Sequence, residues 1–256
     1  MDVTRFAHIA RNVSARLTRR SGLGLFAAAS VPLLGFVNAG TAKKKKKITL
    51  CFNGATIKKP KKQAKKLRKQ GALNGACRCG NGGLCRVFTT STGFTGGQVG
   101  GLAGADAKCN AAASSAGLPG TYMAWLSAGT ATPANRFSNI NLAGPWVLPG
   151  NAADTGSPPT VASNFTDLIT CGATCLQKAI DRDEKGVTLA GAPSTWTGTK
   201  ADGSAAQSNC ANWTSSNNAD AGAFGLAKAV DKTWTISDFD VACNVTSSLY
   251  CFEQAT

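Results

Sequence analysis

The chain has 256 residues, with 28 lysines and arginines against 13 acidic residues, ten cysteines and one histidine, His8. The net charge of +15 is unevenly placed: residues 1–42 carry +4, residues 43–86 carry +15 and residues 87–256 carry −4. That split argues against a globally basic nucleic-acid-binding domain. Loss of the N-terminus would also leave no histidine for Ser-His-Asp or Cys-His catalysis or for a metal.

Residues 1–42 read as an export signal. Arg5, Arg11, Arg16, Arg19 and Arg20 precede an uncharged run over 22–37, and small residues follow at 38–42. The run of 16 residues is short for a spanning helix. Arg19-Arg20 directly before it is similar to the twin-arginine export motif of bacteria. Cleavage near Ala39 or Ala42 is expected, with retention as an anchor the alternative. Either way the remainder leaves the cytoplasm, in keeping with an even count of ten cysteines.

Lys43, Lys44, Lys45, Lys46 and Lys47 form a block of like charge, expected to be disordered. Alternating Ile48, Leu50 and Phe52, then Asn53-Gly54, then Thr56-Ile57 predict a β-hairpin with a type I′ turn. Residues 61–70 read as a short cationic helix stopped by Gly71. Cys51 and Cys77, and Cys79 and Cys85, are expected as disulfides. C-x-C and C-x5-C spacing lacks the paired knuckles of structural zinc. The pattern C-x-N-G-x-T-I, a helix, then G-A-x-x-G-A-C resembles a small cysteine module found after export signals in environmental bacteria. Lys58, Lys59, Lys61, Lys62, Lys65, Lys66, Arg68 and Lys69 complete a polycation that reads equally as a solvated spacer or an adhesive for anionic envelope polymers. Phe52 is the sole aromatic among these lysines, so base stacking and specific nucleic-acid binding are poorly supported.

From residue 86 the texture changes. Residues 86–91 are strand-like, 102–116 read as an alanine-rich helix capped by Gly117, and 121–127 are strand-like again. A shorter helix is expected over 133–137, then short strands at 146–148, 194–196, 234–236 and 249–252. These elements predict an α+β domain over 87–256.

Gly101-Leu102-Ala103-Gly104-Ala105-Asp106-Ala107-Lys108-Cys109 and Gly117-Leu118-Pro119-Gly120-Thr121-Tyr122 carry a resemblance. With Trp196-Thr197-Gly198, Cys210-Ala211-Asn212-Trp213, Cys243 and Leu249-Tyr250-Cys251-Phe252-Glu253, they are similar to endostatin, whose fold is related to C-type lectins, and to bacterial domains of that kind. The resemblance spans 87–254. It implies a C-type-lectin-like (endostatin-like) disulfide-stapled fold with two helices and short antiparallel strands. It also implies the nested pairs Cys109–Cys251 and Cys210–Cys243. A local Cys171–Cys175 bond, outside that pattern, uses the last two cysteines. The E-P-N, Q-P-D and W-N-D segments of calcium-dependent lectins are missing, and endostatin's histidine-based zinc and arginine-based heparin sites have no counterpart. No cofactor and no metal are expected.

Asp183 and Glu184 are the nearest thing to an acid–base pair. Adjacent residues on a strand face opposite ways, so they read as a solvated turn. Among five tryptophans, Trp213 lies in a polar stretch with Asn212, Asn217 and Asn218, and with Asp202 these are the candidate ligand contacts, core packing being the competing reading for Trp213. The sequence thus points to an exported, non-catalytic binding or adhesion protein of the cell surface, its partner an extracellular glycan or protein. A carboxylate-dependent hydrolase and a structural envelope protein held by its lysines are the alternatives.

Overall fold

The computed structural model describes residues 46–52, 55–76, 79, 84–138, 140, 143–152, 154–172 and 174–255. The expected export signal, Lys43, Lys44, Lys45, the Asn53-Gly54 turn and Cys77 lie outside the described residues.

The basic segment folds. Strand β1 (Lys47–Phe52) pairs antiparallel with β2 (Ala55–Pro60), and Phe52 stands opposite Ala55, so two residues separate the strands. Helix α1 (Lys61–Arg68) follows Pro60 directly, and β3 (Leu73–Asn74) returns to pair with β1. Gly71, at φ +94°, takes the left-handed conformation that ends the helical run. Alternation along β1 turns Ile48 and Leu50 to one face. Leu50, Ala64 and Ala72 are fully or nearly buried there, and Ile57 and Leu67 pack against them. Lys47, expected in a disordered block, sits in the ladder opposite Pro60.

The larger domain is α+β. Its centre is β12 (Ser248–Glu253), buried at every position. It pairs antiparallel with β4 (Cys85–Thr89) and with β5 (Tyr122–Ala124), and parallel with β8 (Ser194–Trp196). On the β4 side the sheet continues through β6 (Trp146–Val147) and β7 (Thr160–Ala162), and beyond β8 lies β10 (Phe224–Leu226). A separate two-stranded ladder joins β9 (Ala221–Gly222) to β11 (Val241–Ala242).

Both faces of the sheet are covered, and β12 shows how. Leu249 and Cys251 enter one core with Phe88, Trp196 and Trp213, while Tyr250 and Phe252 enter the other with Trp125, Trp146 and Trp234. Helix α2 (Gly101–Ser115) closes the first core with Ala105, Cys109 and Ala113, spaced four apart on one face. It is alanine-rich and ends before Gly117, at φ +68°. Gly104 is required by close approach: a Cβ there would collide with the Val99 carbonyl oxygen. Short helices α3 (Pro133–Arg136) and α4 (Phe165–Ile169) border the second core, which takes in Phe137 and Phe165.

Four disulfides lie among the described residues: Cys79–Cys85, Cys109–Cys251, Cys171–Cys175 and Cys210–Cys243. Cys51 is also disulfide-bonded, so Cys51, Cys79 and Cys85 are not free to hold zinc. No helix of the described residues is long and apolar enough to cross a membrane.

One predicted strand is corrected. Residues 234–236 are not a strand: Lys232–Trp234 form a 3-10 turn whose start is capped by the Asp231 side chain, which accepts from the Thr233 amide. The β-branched run is recruited to a turn because Asp231 satisfies its open amide. Strand β5 (Tyr122–Ala124) is also shorter than the expected 121–127, although the Trp125 amide still donates to the Tyr250 carbonyl of β12 at 2.9 Å.

Candidate functional site

The cationic module presents its charge outward. Lys46, Lys47, Lys58, Lys61, Lys62, Lys65, Lys66, Arg68 and Lys69 are exposed, and Lys59 is half-buried. On α1 only Ala64 and Leu67 turn inward, so the rest of the helix surface is lysine, arginine and Gln63. No acidic residue occurs anywhere in 43–86. No ion pair of the described residues uses these cations; Arg68 donates from Nε to the Asn74 side-chain oxygen at 2.8 Å. Lys61 and Lys65, and Lys62 and Lys66, stand four residues apart on the helix. Each such like-charge pair destabilises it by about 0.2–0.5 kcal/mol. The lysine stems shield the small core while their ammonium groups stay in water.

A second feature is a cleft of about 530 Å³ on the larger domain, lined by Lys200, Asp202, Gln207, Ser208, Ile236 and Asp240 among others. The Asp202 carboxylate accepts from the Ser204 amide at 2.9 Å and hydroxyl at 2.6 Å. The Ser204 hydroxyl, then its amide, and Lys200 nearby hold the Asp202 carboxyl below the usual carboxylate range. Asp240 accepts from the Ser208 hydroxyl at 2.5 Å. Two carboxylates and one ammonium thus line an open cleft that also presents Ala201, Ala206 and Ile236, an arrangement suited to ligands with both hydroxyl groups and apolar faces.

The other candidates from sequence are not in that cleft. Asn212, Asn217 and Asn218 are exposed, and none lines it. Trp213 is fully buried, which corrects its reading as a ligand contact. The segment Cys210–Trp213 (α5) has φ between +51° and +65° at all four residues, a left-handed turn. That turn folds the indole inward, where it donates to the Ser127 carbonyl at 2.8 Å and packs 5.6 Å from Trp196. Gly198 leaves the space, since a Cβ there would stand 2.7 Å from the indole.

Asp183 and Glu184 are buried too, at 7% and 5% exposure, and are not a solvated turn. Asp183 accepts from the amides of Lys185 and Val187 and closes its own turn. Glu184 accepts from the amide and hydroxyl of Ser91. The two carboxylates face different partners, although they lie in a turn and not on a strand.

Arg136 and Arg182 are absorbed structurally. Arg136 forks onto Asp106 at 2.8 Å and also donates to the carbonyls of Ala124 and Leu126. Arg182 pairs with Asp154, whose carboxyl its guanidinium and the Asn151 amide hold down at about 2. Among the described residues no group of three His, Cys, Asp or Glu is placed to hold a metal ion. Lys200, Ser208 and Asp240 escaped notice because nothing in their spacing links them to Asp202.

Residues 92–230 match a family described as a protein of unknown function (DUF1554). The matched segment includes α2 and the Lys200–Ser208 wall of the cleft, and leaves the cationic module outside. A search of the curated proteins returns no match.

Proposed function

The chain belongs to the DUF1554 family of proteins of unknown function, and for it we propose a non-catalytic role in extracytoplasmic binding and adhesion. The four disulfides suggest an extracytoplasmic protein, and the twin-arginine-like N-terminus would provide the route.

One observation carries the reading. The cationic module is a folded surface with nine exposed basic side chains among the described residues and no acid of its own. A spacer would gain nothing from folding its lysines onto one small scaffold, where they repel one another. An anionic polymer lying across the face would remove that repulsion. The larger domain, at −4, would stand off the same polymer. We assign anchoring to the module and recognition of an extracellular glycan or protein to the domain, with the Asp202 cleft as its candidate surface. Asp183 accepts from the amides of Lys185 and Val187 while Glu184 accepts from Ser91, so the two do not face one substrate as a hydrolytic pair, which favours binding over a carboxylate-dependent hydrolase.

The C-type-lectin-like relationship belongs to the same proposal. It is supported by the pairing of β4 with β12, which brings the two ends of the domain together, and by the Cys109–Cys251 and Cys210–Cys243 bonds.

Titration of the full chain with alginate, a soluble polyuronate, tests the anchoring. We expect saturable binding that weakens steeply with added salt. It should be lost when Lys58, Lys61, Lys62, Lys65 and Lys66 are replaced by glutamine. Binding that survives those replacements would refute the assignment. Binding that is lost in a chain whose domain recognises no glycan or protein on an array would leave a structural envelope protein held by its lysines.

A further inference from the structure

A second cleft lies between α2 and the chain that follows β4. It has a volume of about 380 Å³, and its walls include Thr92, Phe94, Lys108, Ala112, Ser115 and Glu184. Two of these side chains are charged, and neither takes part in an ion pair of the described residues.

Glu184 is the unusual one. It is 5% exposed, and the partners of its carboxylate are the amide and hydroxyl of Ser91, at 3.0 and 2.5 Å. Both donors are neutral. A buried carboxylate is costly to keep without a cation, and natural interiors pair such charges. Lys108 lies across the same cleft from α2, with its ammonium 5.1 Å from the centroid of the Phe94 ring. The ring's π face holds the ammonium but leaves its charge unneutralised. The cleft therefore carries an anion, a cation and an apolar floor of Phe94 and Ala112.

We propose that this cleft binds a small zwitterion, a free amino acid or a short peptide. The ligand's ammonium would pair with Glu184 and its carboxylate with Lys108, and its aliphatic side chain would lie against Phe94 and Ala112. The volume is near the lower end of the range of about 300–1,000 Å³ usual for small-ligand pockets, which suits one or two residues and excludes a folded partner. This assignment goes beyond the adhesion reading and does not rest on it, since no described residue of the module lines the cleft.

Isothermal titration of the full chain tests it with four probes: L-leucine, L-leucyl-L-leucine, N-acetyl-L-leucine and L-leucinamide. One of the first two should bind saturably, and which one it is separates a free amino acid from a peptide. Acetylation removes the ammonium and amidation the carboxylate, so each should weaken binding by about tenfold or more, the scale of a charge-assisted hydrogen bond. Glu184→Gln keeps an acceptor for Ser91 and should weaken the zwitterion about tenfold while sparing N-acetyl-L-leucine. Lys108→Met, at a half-buried position on α2, leaves the fold alone and should weaken the zwitterion while sparing L-leucinamide. Alginate binding should be unchanged in both variants. The proposal is overturned if neither leucine nor its dipeptide binds up to about 10 mM. It is equally overturned if N-acetyl-L-leucine binds as tightly as the parent, or if both variants bind like wild type.

Discussion

Replacing Cys109 and Cys251 together by alanine should cost more stability than removing any other disulfide of the larger domain. Their bond spans a sequence separation of 142, against 33 for Cys210–Cys243 and 4 for Cys171–Cys175. In the chain-entropy treatment, those loops correspond to about 5, about 4 and about 2 kcal/mol of constraint on the unfolded chain. Alanine is the right replacement because both cysteines are fully buried, and a serine hydroxyl there would add its own desolvation cost. Guanidinium unfolding followed by tryptophan fluorescence reads the domain cleanly. All five tryptophans are fully buried within it, and the cationic module has none. The expected order of midpoints is wild type, then the Cys171–Cys175 variant, then Cys210–Cys243, then Cys109–Cys251. If the Cys171–Cys175 variant loses as much as the Cys109–Cys251 variant, loop closure is not what these bonds contribute, and the reasoning fails.

Three further outcomes are expected. Trp213→Ala should cost about 3–5 kcal/mol in the same unfolding assay, as for a large buried aromatic, and a loss under about 1 kcal/mol would place the indole at the surface. Arg136→Lys should cost about 1–3 kcal/mol, because an ammonium cannot fork onto Asp106 and also reach the carbonyls of Ala124 and Leu126; an unchanged midpoint would contradict it. Asp154 is held at about 2, below its usual 3.8. A depressed folded-state value stabilises above the unfolded value and is lost as pH falls through the folded one. Melting temperature should therefore fall between about pH 4 and about pH 2, and Asp154→Asn should flatten part of that fall; an unaltered acid limb would contradict it.

What could be read from the sequence was whatever has a local cause. The hairpin of β1 and β2 follows from alternation around two intervening residues, and α2 from its alanines and Gly117. The disulfide frame was accessible through a resemblance rather than through spacing. The left-handed turn at Cys210–Trp213 was hidden because Ala211, Asn212 and Trp213 carry no glycine to announce positive φ. Polar neighbours made Trp213 a candidate ligand contact beside its reading as core, and tertiary packing against Trp196 decides for the core. Strands of two or three residues, such as β6 and β9, offer too little pattern to show a period. The burial of Glu184 depends on Ser91, more than 90 residues earlier, and the meeting of Asp202 with Asp240 depends on how two loops pass. Neither leaves a local trace.

The central claim is that a folded cationic face holds this protein to an anionic envelope. The most direct measurement is the fraction of the chain that sediments with intact envelopes as sodium chloride is raised, for wild type and for the variant with Lys58, Lys61, Lys62, Lys65 and Lys66 replaced by glutamine. The account predicts that wild type sediments at low salt and is released as screening shortens the Debye length to a few ångströms, about 3 Å at 1 M, while the variant stays in solution throughout. Equal sedimentation of the two, or wild-type sedimentation indifferent to salt, would contradict it.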